Sequence, residues 1–481
     1  MKLQELLRDI AVLEMTADPE TEIANVRYDS RAVERGDLFV AVEGYQSDGH
    51  RFIPSAAEKG AAAVLCSRRP ETDIPYILTD DTRKALALVS AASFGRPADK
   101  LVMIGVTGTN GKTTSTTLIK HILEDCLGAK VGLIGTIANY IGDEERPAAR
   151  TTPESWDLQK LLHDMVEAGC THAVMEVSSH ALYLDRTEGI RFRAGLFTNL
   201  TQDHLDFHGT MKNYAEAKAL LFSQCDAAAI NTDDAWSTFM AQRAKCPVLA
   251  FGTHGGEDLA AQEITYSASG VAFTASLGSQ RARVSLAIPG AFSVSNALTA
   301  IAAGALLDIP LDAMAASLGR ARGVKGRVEV VPTPEDYTVV IDYAHTPDAL
   351  EKVLQTMKAV APGRVVAVFG CGGDRDATKR PIMGRIAAEN ADFCVVTSDN
   401  PRTERPRAII DDILAGIPEG TPMAVIEDRR EAIGWAMEHH EPGDVIVLAG
   451  KGHETYQEVN GVKNHMDERE IVAEHLRKSE E

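Results

Sequence analysis

Aromatic side chains are scarce in this 481-residue chain, at 5% of the total, and its seven cysteines are scattered without a CxxC pair. The missing pair argues against a disulfide framework or a zinc site, because both need cysteines at characteristic spacings. No run approaches the roughly 18 apolar residues of a membrane span, and the charged segment 1–15 lacks the apolar core of a secretion signal. We therefore expect a cytoplasmic protein.

Positive charge is also in deficit, with 49 lysine and arginine residues against 69 aspartate and glutamate residues and a net charge of −20. This balance argues against a general binder of nucleic acid or of anionic membranes, since both need broad positive surface. An anionic substrate would require arginine and lysine concentrated at a few motifs. We expect neither nucleic acid nor a membrane as a partner.

The chain is too long for one ordinary core, so two or three domains are expected. From the buried-strand pattern at 101–106 onward, short β-rich runs alternate with helical stretches, which predicts a mostly parallel sheet covered on both faces. The segment 264–288 alternates as an antiparallel ribbon, and a second α/β series begins within 320–332. The predicted fold class is α/β, with an N-terminal α/β module, a central phosphate-loop domain and a C-terminal Rossmann-like domain over residues 1–98, 99–328 and 329–481.

The segment GVTGTNGKTT (105–114) lies between a hydrophobic strand and a helical stretch. In such loops the glycines let backbone N–H groups surround a polyphosphate, while Lys112 would neutralise phosphate oxygens and Thr113 would bind Mg²⁺. The segment departs from the general phosphate-loop formula, which places a glycine where this chain has Val106. The alternative interpretation is a glycine-rich turn with an exposed lysine.

Polar residues also follow other predicted strands. Glu176 comes directly after the strand near 172–175, and Asp203 and His204 follow the strand near 194–200. Ligand sites of open α/β sheets lie at these carboxyl ends, and a carboxylate there suits Mg²⁺. From the residues alone, these side chains could equally be a helix cap and a satisfied loop histidine.

Two arginine-bearing segments, 371–384 and 398–406, follow strands of the C-terminal series. Two guanidinium groups with a carboxylate and an amide suit a zwitterionic amino acid, because arginine binds carboxylates bidentately and aspartate binds an ammonium group. The segment AGKGHE (449–454) adds residues from a further strand end. The alternative is a turn starting a helix, with Arg402 exposed. The candidate pocket residues are Arg375, Asp399, Asn400, Pro401, Arg402, Gly450 and Glu454.

The loop GTNGKTT (108–114) resembles the nucleotide loop of the Mur ligase family, and the segments 176–180 and 199–209 are similar to metal-binding segments of that family. The resemblance extends from 29–31 to 452–454 and implies an ATP-dependent ligase that forms an acyl phosphate with Mg²⁺. The implied ATP contacts are Gly108, Thr109, Asn110, Gly111, Lys112, Thr113, Thr114, Asn296, Arg327 and Asp342.

The same resemblance implies roles for four residues around the metal. Thr113, Glu176 and His204 would bind Mg²⁺, and Lys218 in YAEAKALLF (214–222) matches the lysine that CO₂ converts to a carbamate, N6-carboxylysine. The implied catalytic residues are Lys112, Lys218, Glu176 and His204. Without the resemblance, Lys218 would be interpreted as a solvated lysine on an amphipathic helix.

The segment DNPR (399–402) is similar to the signature of the branch that adds meso-2,6-diaminopimelate to UDP-N-acetylmuramoyl-L-alanyl-D-glutamate in peptidoglycan synthesis. In that branch the N-terminal module binds the uridine nucleotide. Tyr28 and Tyr45 stand where a close relative has Leu and His, and Arg150 and Leu184 replace Asn and Gln. The implied contacts to the UDP substrate are Tyr28, Ser30, Tyr45, Gln46, Ser47, Thr151, Thr152, Ser178 and Arg186.

Two other functions remain open at this point. A lysine-adding or folate-type ligase would share the architecture and differ at DNPR and in the N-terminal module. An NTP-hydrolysing switch or motor domain would share only the phosphate loop and would ignore a peptide acceptor. We expect a monomeric ligase.

Overall fold

The computed structural model describes residues 1–44, 47–321, 323–331, 333–334 and 336–480. The predicted substrate contacts Tyr45 and Gln46 lie outside the described residues. The chain divides into two compact units, the first formed by Met1–Leu259 with Thr299–Pro310 and the second by Ala260–Leu298 with Leu311–Glu481.

The first unit begins with a five-stranded sheet in the order β1-β5-β4-β3-β2, parallel except for β1. Its inner strands β3 and β4 are buried throughout, as expected for short runs of apolar residues with helices on the sheet. The strands are β1 (Glu14–Met15), β2 (Val26–Arg27), β3 (Leu38–Val40), β4 (Ala63–Cys66) and β5 (Tyr76–Leu78). The helices are α1 (Leu3–Leu6), α2 (Ile53–Glu58) and α3 (Thr82–Ser93).

The central sheet of the first unit runs in the order β13-β12-β11-β6-β10-β7-β8-β9, parallel from β13 to β7. Strands β8 and β9 are added in antiparallel orientation. The strands are β6 (Val102–Thr107), β7 (Val131–Ile134), β8 (Ala138–Ile141), β9 (Glu144–Pro147), β10 (His172–Glu176), β11 (Phe192–Phe197), β12 (Cys225–Asn231) and β13 (Val248–Gly252). The helices are α4 (Lys112–Leu127), α5 (Ser155–Glu167), α6 (Ser179–Tyr183), α7 (Leu205–His208), α8 (Met211–Ala219) and α9 (Ser237–Arg243).

The second unit contains the predicted antiparallel ribbon and a six-stranded sheet in the order β17-β18-β22-β19-β20-β21, parallel except for β17. Its strands are β14 (Leu259–Ser267), β15 (Gly270–Leu277), β16 (Gln280–Leu286), β17 (Glu329–Val331), β18 (Thr338–Asp342), β19 (Val365–Phe369), β20 (Phe393–Val396), β21 (Met423–Val425), β22 (Val445–Ala449), β23 (Tyr456–Val459) and β24 (Val462–His465). Its helices are α11 (Leu311–Leu318), α12 (Pro347–Lys358), α13 (Lys379–Asn390), α14 (Pro406–Leu414), α15 (Arg429–Glu438) and α16 (Glu468–Glu480). Helix α10 (Phe292–Ala305) begins in the second unit and ends in the first.

The predicted α/β fold class is confirmed, with mostly parallel sheets made from buried aliphatic strands. Helix α8 ends at Ala219, and a 3₁₀ turn covers Leu220–Ser223. Among the described residues no helix is long and apolar enough to cross a membrane. The domain boundaries at 98/99 and 328/329 stay predictions.

Candidate active site

The phosphate loop connects β6 to α4 and depends on two glycines. Gly108 has a φ of +152°, and a Cβ there would overlap the hydroxyl of Thr198. Gly111 has a φ of +83° at the N-cap of α4, a left-handed conformation that glycine adopts without steric cost. Both positions therefore explain why the loop is glycine-rich, and the strand–loop–helix arrangement matches the prediction.

The loop is fixed by residues that follow the neighbouring strand β11. The Thr198 hydroxyl donates to the Asn110 carbonyl at 2.7 Å, and the Asn110 amide donates to the side-chain oxygen of Asn199 at 2.9 Å. The Thr109 amide donates to the Asn199 carbonyl, also at 2.9 Å. Thr198 and Asn199 were not predicted from the sequence. Their position directly after a strand was the feature that could have identified them as site residues.

Two lysines meet at one backbone oxygen of the loop. The Lys112 Nζ donates to the carbonyls of Gly108 and Thr109 at 2.8 and 2.9 Å, and the Lys218 Nζ donates to the Gly108 carbonyl at 2.7 Å. Lys218 is 1% exposed, and its Nζ lies 4.5 Å from the centre of the Tyr214 ring. The alternative interpretation of Lys218 as a solvated lysine is therefore wrong.

Burial lowers the pKa of Lys218 well below its usual range, and the positive charge of Lys112 lowers this pKa further. Burial also lowers the pKa of Lys112, while the carboxylates of Glu176 and Asp203 oppose that change. A lowered pKa favours the neutral amine form of a lysine.

Glu176 ends strand β10 and is buried among hydroxyl groups. Its Oε1 accepts from the Thr113 hydroxyl and from the Thr136 amide, each at 2.9 Å, and its Oε2 accepts from the Thr136 hydroxyl at 3.0 Å. Helix α6 is capped by Ser178, so the interpretation of Glu176 as a helix cap is wrong. The adjacent carboxylate and hydroxyl oxygens of Glu176 and Thr113 form a donor set that fits Mg²⁺, which prefers hard oxygen ligands.

His204 lies at the start of α7, with a left-handed φ of +52° and a half-exposed side chain. Its ring centre is 4.8 Å from that of His180, and its Nε2 is 3.4 Å from a carboxylate oxygen of Asp203. Within the described part of the chain no hydrogen bond joins His204 to Glu176. Both predicted metal ligands follow strands that flank β6, because Glu176 ends β10 and His204 follows β11.

The predicted UDP-substrate residues of the central domain contact one another. The Thr152 hydroxyl donates to the Glu176 carbonyl at 2.8 Å and accepts from the Ser178 amide at 3.1 Å. Arg186 donates to the Thr152 carbonyl at 3.1 Å and lies 3.3 Å from a carboxylate oxygen of Glu154. This network connects the predicted substrate residues directly to the backbone of Glu176.

Tyr28 and Arg150 line a cavity of about 450 Å³ in the first unit. The Tyr28 hydroxyl donates to the Asp157 carboxylate at 2.6 Å, and burial followed by this contact raises the pKa of Tyr28. The predicted contact Thr151 shares a hydrogen bond of 3.0 Å with Thr136. Ser30 opens the 3₁₀ turn Ser30–Ala32, and Ser47 is exposed and accepts from the Gly44 amide at 3.0 Å.

A second cavity, of about 440 Å³, lies at the carboxyl edge of β18, β22, β19 and β20 in the second unit. Four adjacent parallel strands place their following loops side by side, as predicted for the amino-acid pocket. Pro401, the seventh predicted residue, is buried within the loop that carries Asn400 and Arg402. The predicted residues that line the cavity are Arg375, Asp399, Asn400, Arg402, Gly450 and Glu454.

One carboxylate oxygen of Asp399, which lines this pocket, has no hydrogen-bond partner within the described residues. Its Oδ1 accepts from the Asn400 amide at 2.6 Å, whereas its buried Oδ2 has no hydrogen-bond partner within the described residues. A Cβ at Gly450 would lie 2.6 Å from that oxygen. A buried, unsatisfied carboxylate oxygen beside a glycine fits an ammonium group supplied by a ligand.

Several pocket side chains are bonded to charged residues beside the pocket. The Lys451 Nζ donates to Asn400 Oδ1 and to Glu454 Oε2 at 3.0 and 2.9 Å, and the Asn400 amide group donates to Glu454 Oε2 at 2.9 Å. Arg402 donates to the Gly373 carbonyl at 2.7 Å and to Glu458 Oε2 at 3.2 Å. The interpretation of Arg402 as an exposed turn residue is therefore wrong, and Lys451 and Glu458 were missed.

The three predicted nucleotide contacts outside the loop all lie in the second unit. Asp342 ends β18, and its carboxylate accepts from the Val328 and Ala344 amides at 2.7 and 2.8 Å. Burial raises the pKa of Asp342, while these amides oppose the change. The Arg327 guanidinium lies 5.3 Å from the centre of the Tyr343 ring, and Asn296 is buried in α10.

A glycine-rich loop between a strand and a helix at the carboxyl edge of a parallel sheet is the arrangement found in α/β enzymes that bind polyphosphates. Residues 22–94 match the model described as the Mur ligase family catalytic domain, residues 106–304 the Mur ligase middle domain, and residues 326–452 the Mur ligase glutamate ligase domain. The chain belongs to the Mur ligase family, whose members are ATP-dependent amide-bond ligases.

Several similar proteins carry one name, UDP-N-acetylmuramoyl-L-alanyl-D-glutamate–2,6-diaminopimelate ligase. The chain is 46% identical to the protein of that name from Clostridium tetani, over 98% of this chain and 99% of the relative. It is 47% identical to one from Clostridium acetobutylicum, over 99% of both chains. A solved structure of a ligase with this name is 34% identical, covers 100% of this chain and 99% of its own, and gives a TM-score of 0.80.

Proposed function

We propose that this chain uses ATP to add meso-2,6-diaminopimelate to the D-glutamyl γ-carboxylate of UDP-N-acetylmuramoyl-L-alanyl-D-glutamate, in peptidoglycan precursor synthesis. The observation that carries the proposal is a pocket lined by Asp399, which has one carboxylate oxygen unpaired among the described residues, and by the guanidinium groups of Arg375 and Arg402. An ammonium group and carboxylates at both ends of the ligand match these charges. The relatives at 46–47% identity support this assignment.

The reaction activates a carboxylate, because an anionic carboxylate is a poor electrophile. The γ-carboxylate attacks the γ-phosphorus of ATP. ADP departs as the leaving group, and the carboxylate becomes an acyl phosphate. The free amine of diaminopimelate then attacks the acyl carbon, and the tetrahedral intermediate releases phosphate to form the amide. The loop amides and Lys112 contribute mainly by binding the phosphates and neutralising charge.

Thr113 and Glu176 would hold Mg²⁺, with His204 and carbamylated Lys218 as further proposed ligands. When bound, the ion neutralises charge on phosphate and carboxylate oxygens. The hydrogen bond of 2.9 Å between Thr113 and Glu176 supports two of these assignments, because a hydroxyl and a carboxylate already lie side by side. We propose that Lys112 contacts ATP and that the UDP substrate is contacted by Thr152, Ser178 and Arg186.

The carbamate at Lys218 is supported by the lowered pKa of this lysine. The neutral form of its Nζ would bond to the carbon of CO₂ and lose one proton, so that a neutral amine becomes an anionic carbamate. The new negative charge would lie beside the positive charge of Lys112 and attract it. Such a group adds oxygen ligands where the lysine itself offers none.

The remaining assignments rest on the resemblance and on the relatives. We propose that residues 1–98, 99–328 and 329–481 form the UDP-substrate, ATP and amino-acid domains, and that the protein acts as a cytoplasmic monomer. The further proposed ATP contacts are Gly108, Thr109, Asn110, Gly111, Thr114, Asn296, Arg327 and Asp342. The further proposed UDP-substrate contacts are Tyr28, Ser30, Ser47 and Thr151.

The test is phosphate release with ATP, the UDP-muramoyl dipeptide and either meso-diaminopimelate or lysine. Lysine lacks the distal carboxylate and therefore loses a hydrogen bond to the Arg402 guanidinium, and a hydrogen bond to a charged group is typically worth about 1.5–3 kcal/mol. We expect kcat/KM to favour diaminopimelate more than about tenfold in the wild type, and the preference to fall in Arg402→Ala. The matched control is Arg407→Ala, because Arg407 is an exposed partner of Asp411 on α14. Comparable wild-type values for the two amino acids would refute the assignment.

A further inference from the structure

The hairpin β23–β24 is bonded to the loop that carries the amino-acid pocket. The Gln457 side chain donates to the Asp399 carbonyl at 2.7 Å, and the Glu458 amide donates to Asn400 Oδ1 at 2.9 Å. The Arg402 amide donates to the Glu458 carbonyl at 3.1 Å, and the Asn460 amide donates to the Arg402 carbonyl at 2.8 Å. Strand β23 therefore fixes the backbone and one side chain of the pocket loop.

Arg402 is held in an unusual conformation by this arrangement. Its φ of +51° is left-handed, a conformation that costs a non-glycine residue strain unless its surroundings hold it there. Its NH1 contacts the Gly373 carbonyl, and a Cβ at Gly372 would lie 2.9 Å from NH1. The guanidinium thus packs over two glycines, where a larger side chain would displace it.

The Glu458 carboxylate completes the positioning by accepting from the Arg402 Nε at 3.2 Å. Nε and NH1 each have a protein partner, and Arg402 lines the cavity. A guanidinium has five N–H donors, so these two bonds leave donors for a ligand carboxylate. An arginine held in place before binding loses less side-chain entropy when the ligand arrives.

We propose that Glu458 is a positioning residue that sets amino-acid specificity, because it holds Arg402 in the orientation that receives a distal carboxylate. This inference rests on the proposed function of the pocket. Glu458 acts through Arg402. The distal carboxylate, which diaminopimelate has and lysine lacks, would bind the N–H groups of the Arg402 guanidinium that Glu458 does not occupy.

The negative charge of Glu458 also opposes a ligand carboxylate, so the two effects have opposite signs. The side chains of Arg402 and Glu458 are 22% and 26% exposed, and water screens the repulsion between partly exposed charges. The geometric constraint from the hydrogen bond is not screened. We expect positioning to outweigh repulsion at this site.

The experiment compares kcat/KM for meso-diaminopimelate and for lysine in the wild type and in three variants. Glu458→Gln keeps an oxygen acceptor without the charge, Glu458→Met keeps chain length without an acceptor, and Glu458→Ala removes both. In the alanine and methionine variants we expect the ratio of kcat/KM for diaminopimelate to kcat/KM for lysine to fall about tenfold, because the KM for diaminopimelate rises. The KM for ATP and the kcat/KM for lysine should stay at wild-type values, which a general loss of folding would not allow.

The glutamine variant should keep the ratio within about threefold of the wild type. The matched control is Glu470→Gln, because Glu470 pairs with His465 at 2.7 Å next to the same hairpin. A wild-type ratio in both the alanine and the methionine variants would overturn the inference and leave the proposed function standing. A rise in diaminopimelate affinity in all three variants would identify repulsion as the dominant effect and overturn it as well. Comparable wild-type values for both amino acids would instead overturn the proposed function, together with this extension of it.

Discussion

Substitution of Gly450 by alanine tests the amino-acid pocket directly. Gly450 follows β22 with a φ of +122°, and the added Cβ would lie 2.6 Å from Asp399 Oδ2, against 3.4 Å or more for an ordinary contact. Asp399 cannot easily retreat, because its other oxygen accepts from the Asn400 amide and its carbonyl from Gln457. The methyl group would therefore cover or displace the unpaired carboxylate oxygen that we assign to a ligand ammonium.

The magnitude follows from the interaction that is lost. A hydrogen bond between charged groups contributes about 1.5–3 kcal/mol, which corresponds to a factor of about 10–150 in affinity. The left-handed backbone adds strain of about 1–2 kcal/mol to the folded state, and this strain lowers thermal stability rather than ligand affinity. We expect kcat/KM for diaminopimelate to fall about 10–100-fold while the KM for ATP stays unchanged.

The assay is phosphate release at varied diaminopimelate and at varied ATP. The matched control is Gly420→Ala, since Gly420 has a φ of +84° and nothing within 4 Å of its Cβ position. That variant should share the loss of thermal stability and keep the wild-type KM for diaminopimelate. An unchanged KM in Gly450→Ala, or an equal rise in both variants, would refute the assignment of Asp399 to the ammonium group.

Three further predictions concern the first unit. Lys112→Ala should abolish phosphate release while circular dichroism shows an intact fold, because Lys112 contacts the phosphate loop and not a core. Lys218→Ala should lose most activity, and a short carboxylate such as acetate should restore part of it by supplying the oxygens of the carbamate. Asp185→Asn should raise the melting temperature at pH 8 by the equivalent of about 1 kcal/mol and leave it unchanged at pH 4. Burial and the charge of Asp81 raise the pKa of Asp185 from 3.8 to about 6. The folded state therefore begins to lose stability as the pH rises above about 3.8, the loss is complete above about 6, and the partial exposure of the side chain limits its size.

Each of these predictions has a distinct contrary result. Near-normal turnover in folded Lys112→Ala would contradict the phosphate-loop assignment. A crystal structure or a labelled-CO₂ experiment that finds a free amino group on Lys218 during turnover would contradict the carbamate. An equal change in the melting temperature of Asp185→Asn at pH 4 and pH 8 would show that its carboxylate is not the cause.

Local patterns predicted the strands and the loops that follow them. Strand β6 begins one residue later than the predicted run at 101–106, and the pocket residues were found because each follows a predicted strand. Strand order was not predictable, because the sequence does not show that β6 lies between β10 and β11. For that reason Thr198 and Thr136, which depend on neighbouring strands, were missed.

Side chains that act over long separations were the other omission. Glu458 lies 56 residues after Arg402, and Asp157 lies 129 residues after Tyr28, so no local motif contains either pair. The burial of Lys218 was likewise invisible in the residues, since a lysine on a helix is usually solvated. The resemblance to a family identified Lys218 as a candidate residue. Its burial becomes visible only from the packing of α8 in the structure.

The backbone oxygen of Gly108 retains a donor when Lys112 turns away from it. A nucleotide phosphate would compete for the Lys112 ammonium, but Lys218 still donates to the same oxygen. Even a carbamate keeps one N–H on its nitrogen, so modification does not remove this donor. The loop can therefore hold one shape through nucleotide arrival and departure, and little of the binding energy is spent on reorganising it.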